Sequence, residues 1–133
     1  MVRAYKKSDK GILDVWSQSA FHTKLSDDGI DFIYIFEEKI RKGFISFRVF
    51  YERAELTYLY VDEKYRNENI ASTLLVEMCN ILKQKNVETV TLEVSVQNIC
   101  AIHVYEKIGF KKIGKRKNYY DGIDAFLMIK EVN

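Results

Sequence analysis

Apolar and polar residues change their spacing several times along the chain, and each change marks an element. From Thr89 to Val96 the pattern alternates: Val90, Leu92, Val94 and Val96 face one way, Thr91, Glu93 and Ser95 the other, as a strand requires. From Ile70 to roughly Lys85 the period lengthens, with Ile70, Leu74, Leu75, Met78 and Ile81 at the spacing of an amphipathic helix. Ahead of it, Glu55 to Val61 is rich in Tyr, Val and Thr and reads as a strand. Nearer the N-terminus, Val2 to Tyr5 reads as a first strand, and Asp9 to about Phe21 as a helix with Ile12, Leu13 and Trp16 inward. Phe32 to Phe36 and Lys42 to Tyr51 read as two strands joined by a charged turn around Glu37 to Arg41. After Val96, Asn98 is a plausible N-cap for a helix over roughly Ile99 to Ile108, with Gly109 as its C′ residue. Phe110 to Lys115 and Asp124 to Ile129 read as two last strands, with Asp121-Gly122 as the turn. Early antiparallel strands followed by β-α-β-α-β predict an α/β fold built on a mixed sheet.

Composition narrows the class. The 133 residues contain no proline, no Gly/Ser-rich linker and no repeat, which predicts one domain over residues 1–133. A hydrophobic content of 47% and a charged content of 30% are ordinary for a globular protein. No apolar run approaches the roughly 20 residues of a membrane helix, so no membrane association is expected. MVRAYKKSDK has no apolar segment of the secretory kind, and a cytoplasmic location is expected. Cys79 and Cys100 have no CxxC or His-rich companion, which argues against a metal site or a disulfide framework. Both read as small buried side chains. His22 and His103 read as surface or packed residues.

A net charge of +2 is too small to announce direct nucleic-acid binding. Locally, Lys111, Lys112, Lys115, Arg116 and Lys117 cluster after Phe110, while acidic residues gather at Asp27, Asp28, Asp31, Glu37 and Glu38. The basic cluster suits a strand edge where lysines discourage sheet-to-sheet pairing. It also suits attraction of a polyanionic cofactor or an RNA-rich partner surface.

Two features carry candidate chemistry. The loop from Arg66 to Ala71 joins a strand to a helix, so its backbone N–H groups and the helix dipole offer an anion site; a plain helix-entry loop is the alternative. Glu93 interrupts a Val/Leu-rich strand predicted to be central, where a carboxylate is costly unless solvated or used. The alternative there is a glutamate at a solvated edge or paired with a lysine.

Three segments, YRNENIASTLL (Tyr65 to Leu75), LEVSVQNICAIHVYEKIGF (Leu92 to Phe110) and KRKNYYDGIDAFLM (Lys115 to Met128), resemble the GCN5-related N-acetyltransferase superfamily in order and spacing. More narrowly, they look like its bacterial ribosomal-protein-alanine N-acetyltransferase branch. The likeness covers about the last two thirds of the chain, from Gly43 onward; the first forty residues fit loosely. It implies a central sheet, flanked by helices, whose fourth and fifth strands splay apart to admit acetyl-coenzyme A.

The family loop R/Q-x-x-G-x-G/A stands here as Arg66-Asn67-Glu68-Asn69-Ile70-Ala71. Arg66 and Ala71 fit, and Asn69 replaces the first glycine. Asn is the best non-glycine choice for positive φ. Glu68 puts a negative charge near the expected diphosphate, so the resemblance implies binding that is retained but weaker. It further implies that Leu59, Tyr60 and Val61 line the pantetheine arm through backbone groups, and that Asn67 to Ser72, Glu68 and Ile70 included, hold the diphosphate. Asn98 matches a cofactor-contacting position, although it would cap a helix in any protein with this turn. Glu93 matches the general base, which takes a proton from the arriving ammonium directly or through a water. Tyr105 matches the tyrosine that protonates the departing thiolate; a packing aromatic is the alternative. Tyr119 and Tyr120 match the N-Y-Y element that flanks the acceptor peptide, or are a hairpin pair. The short N-terminal region lacks a clear counterpart to the family's substrate-side loop.

The expected activity is acetyl-coenzyme A-dependent N-acetylation by direct attack of an amine on the thioester, with backbone N–H groups near Leu59 to Val61 steadying the oxyanion. A protein N-terminal amine, of the ribosomal-protein kind, is the favoured acceptor. The alternatives are a small amine (polyamine, amino acid or aminoglycoside) and a catalytically slack acyl-coenzyme A-binding module.

Overall fold

The alternating segments form seven strands. In the computed structural model, which describes residues 1–25 and 29–133, they are β1 (Val2–Ala4), β2 (Phe32–Glu38), β3 (Ile40–Phe50), β4 (Arg53–Val61), β5 (Thr89–Ser95), β6 (Lys111–Tyr120) and β7 (Ile123–Glu131). The helices are α1 (Lys10–Phe21), α2 (Ile70–Gln84) and α3 (Ile99–Ile108). Hydrogen bonding runs in the order β1-β2-β3-β4-β5-β7-β6, a mixed α/β arrangement. Asp27 and Asp28, part of the acidic group, lie outside the described residues. The chain divides into two compact units, Met1–Arg48 with Thr57–Met78, and Val49–Leu56 with Cys79–Asn133. Both β4 and α2 therefore contribute to each unit.

In the first unit, β1 pairs antiparallel with β2, and β2 with β3. Leu13, Trp16, Leu25, Ile33, Ile35 and Phe44 form a buried core, with Tyr5, Ile12, Phe21, Tyr58 and Tyr60 packed against it. Trp16 stacks on Phe44, ring centroids 6.2 Å apart, and tilts onto Tyr60 at 5.3 Å. Each such side chain contributes roughly 1.5–3 kcal/mol by leaving water.

The predicted charged turn over Glu37 to Arg41 is much shorter. Strand pairing continues through Glu37↔Arg41 and Glu38↔Ile40, leaving Lys39 at φ 66° as the turn. The charges are held within the ladder because they have partners. Arg3 reaches Glu37 (2.7 Å), and Arg41 reaches Asp9 (2.6 Å). Asp9 is fully buried and also accepts both Arg3 Nη atoms (2.9 Å each) and the backbone N–H of Lys6 (2.7 Å). Arg3 above all, then the Lys6 bond and Arg41, hold the Asp9 carboxyl well below the usual carboxylate range. At the far end of α1, His22 is exposed and takes the left-handed C-cap position at φ 57°.

In the second unit, β5 pairs antiparallel with β7, and β7 with β6. Val90, Leu92 and Val94 are buried and the intervening residues half-buried, as the alternation predicts. Both final strands run longer than expected. A two-residue turn, Asp121 at φ 44° and Gly122 at φ 87°, closes directly on the Tyr120↔Ile123 pair. Asn98 caps α3 by accepting the Ala101 N–H (3.3 Å). At the other end Gly109, at φ 115°, donates to Glu106 O, and Phe110 donates to Tyr105 O, both at 3.0 Å.

Cys79 is half-buried, its thiol pushed up by burial, but Cys100 is exposed, contrary to expectation. It sits in the first turn of α3, whose buried positions are Ile102 and Tyr105, so it falls on the solvent side. His103 is exposed on the same helix. The parallel ladder of β4 with β5 comprises Arg53↔Thr89, Ala54↔Val90 and Glu55↔Thr91. Among the described residues no helix is long and apolar enough to cross a membrane.

Candidate active site

The first unit holds the strand end, turn and helix start singled out in the sequence. Leu59, Tyr60 and Val61 are half-buried at the end of β4. Gly43 on β3 permits a close approach there: a Cβ at that position would stand 2.5 Å from the Tyr60 carbonyl oxygen. Beyond Val61, the Asp62 carboxylate accepts the Lys64 N–H (3.0 Å) and caps a 3₁₀ turn, Glu63–Tyr65. Arg66 folds back, donating Nε to the Val61 carbonyl (3.0 Å), with its guanidinium 5.8 Å from the Tyr60 ring centre. Thus Arg66 ties the turn to the strand it leaves.

Asn67 and Asn69 both adopt left-handed backbone, φ 71° and 61°. Asn69 accepts the Thr73 N–H (3.0 Å) and the Thr73 hydroxyl (2.9 Å), so α2 starts immediately after it. The N–H groups of Ile70, Ala71 and Ser72 then have no partner within the helix, which is the geometry an anion uses. The Ile70 side chain is buried and anchors this end of α2. Glu68 is exposed, and Lys42 Nζ lies 3.8 Å from its carboxylate. Lys42 also reaches Glu38 (3.4 Å) and sits over the Tyr65 ring at 4.7 Å. The Glu68 charge expected to oppose a diphosphate is therefore partly offset by a lysine distant in sequence.

The second unit contains Glu93, Asn98, Tyr105, Tyr119 and Tyr120. Glu93 lies on β5, inside the strand order and away from the sheet edge, and one of its partners is an arginine. Its carboxylate, 19% exposed, lies 3.2 Å from the Nε of Arg116. Tyr119 donates its hydroxyl to Glu93, and its ring centre is 4.9 Å from the Arg116 guanidinium. Burial, and secondarily the Glu93 charge, push the Tyr119 phenol up.

The β6–β7 hairpin explains how these groups meet. In β7, Leu127 faces Glu93, and Ala125 faces both Ser95 on β5 and Arg116 on β6. Arg116 and Tyr119, three residues apart, would occupy opposite faces of a regular strand. A register shift lies between Arg116 and Tyr120, and within it Asn118 takes φ 56° and donates its N–H to the Asp124 carboxylate (3.1 Å). Between the Arg116↔Ala125 and Tyr120↔Ile123 pairs β6 runs two residues longer than β7, which breaks the alternation, and Tyr119 lies beside Arg116. Tyr120 pairs with Ile123, and its side chain lies outside the described residues. Tyr105, on α3, is buried with its ring edge-on to Phe110 at 5.8 Å, which satisfies the packing reading; Asn98 acts as the cap.

Arg116 is the site residue that sequence reasoning missed. It stood among lysines that agree with the edge reading, since β6 ends the strand order and its lysines are exposed. Lys112 and Lys115 lie over Phe126, at 4.4 and 5.6 Å. The available signal was an arginine among lysines, the residue suited to planar recognition of a carboxylate.

The model of the acetyltransferase (GNAT) family matches residues 3–110, a span that draws on both units. The chain is similar to an N-alpha-acetyltransferase of Saccharolobus solfataricus, 42% identical over 80 residues, 59% of this chain and 48% of that protein. It is also similar to the ribosomal protein bS18-alanine N-acetyltransferase of Escherichia coli K12, 29% identical over 110 residues, 83% of this chain and 74% of that protein. Among solved structures, the ribosomal-protein-S18-alanine N-acetyltransferase from Escherichia coli shares the fold, with a TM-score of 0.89 and 24% identity over 100% of this chain and 94% of that one. Because the family match spans most of its length, this chain belongs to the acetyltransferase (GNAT) family and is an N-acetyltransferase.

Proposed function

We propose that this enzyme acts as a single domain over residues 1–133 and acetylates the α-amine of a protein N-terminus in the cytoplasm. The observation that carries the reading is the Asn118 bulge, which sets Tyr119 against Glu93 and so puts the N-Y-Y element beside the candidate base. The names of the relatives support the same class of acceptor.

Acetyl-coenzyme A, the family's co-substrate, supplies the activated acetyl group. The N–H groups of Asn67 to Ser72 hold its diphosphate, and Arg66 fixes the turn that presents them. The backbone of Leu59, Tyr60 and Val61 pairs with the pantetheine arm and steadies the oxyanion. Asn98 sets the start of α3. Glu93 accepts the proton of the acceptor ammonium, and Tyr105 gives one to the departing sulfur, a phenol of pKa about 10 being well matched to an alkyl thiol. Tyr119 and Tyr120 flank the peptide. An α-amine, with a pKa near 8 against about 10.4 for lysine, is neutral to a larger extent at pH 7 and needs only a weak base.

Initial rates with acetyl-coenzyme A test this on three acceptors: a peptide with a free N-terminal alanine, the same peptide N-terminally blocked with a lysine inside, and spermidine. The free N-terminus is expected to give the highest kcat/KM. Spermidine above every peptide tested transfers the assignment to small amines, and turnover of none leaves an acyl-coenzyme A-binding module.

A further inference from the structure

We propose that Arg116 is a positioning residue for acetyl transfer, holding the Glu93 carboxylate in the orientation from which it takes a proton. This rests on the reading of Glu93 as general base. Arg116 starts on β6 and Glu93 on β5, with β7 between them. Strands lie about 4.8 Å apart, so the guanidinium must cross roughly 10 Å over the face of β7. Ala125 makes the crossing possible: it faces Arg116 on one side and Ser95 on the other, and offers only a methyl group. A longer side chain there would stand in the path of the arginine stem.

The pair is ill suited to a stabilising role. The Arg116 side chain is 59% exposed, and ion pairs so open to water contribute little to folding. Its geometry suits orientation. Glu93 Oε2 meets Arg116 Nε at 3.2 Å, the Tyr119 hydroxyl bonds the same carboxylate, and the Tyr119 ring centre lies 4.9 Å from the guanidinium. Three side chains thus restrict one another's rotamers. A planar guanidinium that also carries the Tyr119 ring on it confines the carboxylate charge more narrowly than a lysine, a mobile point charge, would. Reactive geometry held in advance is worth a large rate factor, and small misplacements forfeit it.

Arg116→Gln, Arg116→Lys, Glu93→Gln and the Arg116→Gln/Glu93→Gln double variant are compared with acetyl-coenzyme A and an N-terminal alanine peptide. Arg116→Gln is expected to lower kcat by on the order of tenfold to a hundredfold while KM for acetyl-coenzyme A stays within about twofold. Arg116→Lys recovers part of that loss. The double variant is expected to be no slower than Glu93→Gln alone, since the arginine acts through the carboxylate. Wild-type kcat in Arg116→Gln, or losses that multiply in the double variant, would overturn the proposal while leaving Glu93 as base. Wild-type kcat in Glu93→Gln removes the base reading and the proposal together.

Discussion

Asp124 accepts the backbone N–H of Asn118 at 3.1 Å across the β6–β7 hairpin, and this bond secures the bulge that returns Tyr119 to the face of Glu93. The N-Y-Y and D-A elements are therefore one device. Asn118 supplies positive φ, Asp124 fastens it, and Ala125 clears the face for Arg116. Replacing Asp124 by Ala removes a hydrogen bond worth about 1 kcal/mol. Steady-state kinetics should show KM for peptide rising roughly fivefold, with KM for acetyl-coenzyme A unchanged. Equal rises in both would mean that the bulge does not serve the acceptor side.

The Asn69 position, at φ 61°, should discriminate sharply among small substitutions. Asn69→Gly relieves the left-handed backbone and is expected to tighten acetyl-coenzyme A binding. Asn69→Ala incurs about 1 kcal/mol and is expected to weaken it roughly fivefold. Isothermal titration distinguishes the two, and a tighter Ala variant would show that the turn does not bind in this conformation.

Lys42 and Glu68 give a salt-sensitive test of the same turn. Lys42→Ala leaves the Glu68 charge unbalanced and should weaken acetyl-coenzyme A by up to about fivefold at low salt, less at high salt. Adding Glu68→Gln should restore most of the loss. No restoration would mean that Lys42 contacts the ligand itself instead of screening the glutamate.

Asp9 predicts a pH dependence of stability. Its folded carboxyl is held well below its unfolded value near 3.9, so its contribution is fully present above that value and drains away as pH falls below it toward the folded value. Asp9→Asn strands Arg3 and Arg41 without their carboxylate and should cost about 3 kcal/mol at pH 7 by urea unfolding. The gap between wild type and variant should hold above about pH 4 and narrow steadily as pH is lowered from there toward 2. A constant gap would assign the loss to packing.

Glu93→Gln and Tyr105→Phe should each slow turnover by on the order of a hundred- to ten-thousand-fold, with acetyl-coenzyme A affinity nearly intact. The Glu93→Gln loss should shrink at high pH, where the acceptor amine arrives already deprotonated. Tyr105 is buried against Phe110, so thermal melting must accompany its kinetics; a slow variant with unchanged Tm points to the hydroxyl rather than the ring.

What was legible in the chain was local. Period and caps identified α2, β5 and α3 nearly to the residue, because Ile70 to Gln84, Thr89 to Ser95 and Asn98 to Gly109 carry their own signals. The Asp121-Gly122 turn was legible for the same reason. The one-residue turn at Lys39 was not, because the charges around it are held by Arg3 and Asp9, far off in sequence. Cys100 looked apolar enough to bury, and only the orientation of α3 puts it in solvent. Arg116 became visible as a partner of Glu93 once the register across β7 and the Asn118 shift were known.

The two compact units are interleaved along the chain: the first needs Thr57–Met78, and the second needs Val49–Leu56. No single cut of the polypeptide can therefore release either unit free of the other's residues. A nick after Arg48 strands a piece of the first, and one after Met78 keeps a piece of the second. Neither half can be passed on as an independent genetic module, and a ribosome delivers a piece of the second before the first has its full complement of residues.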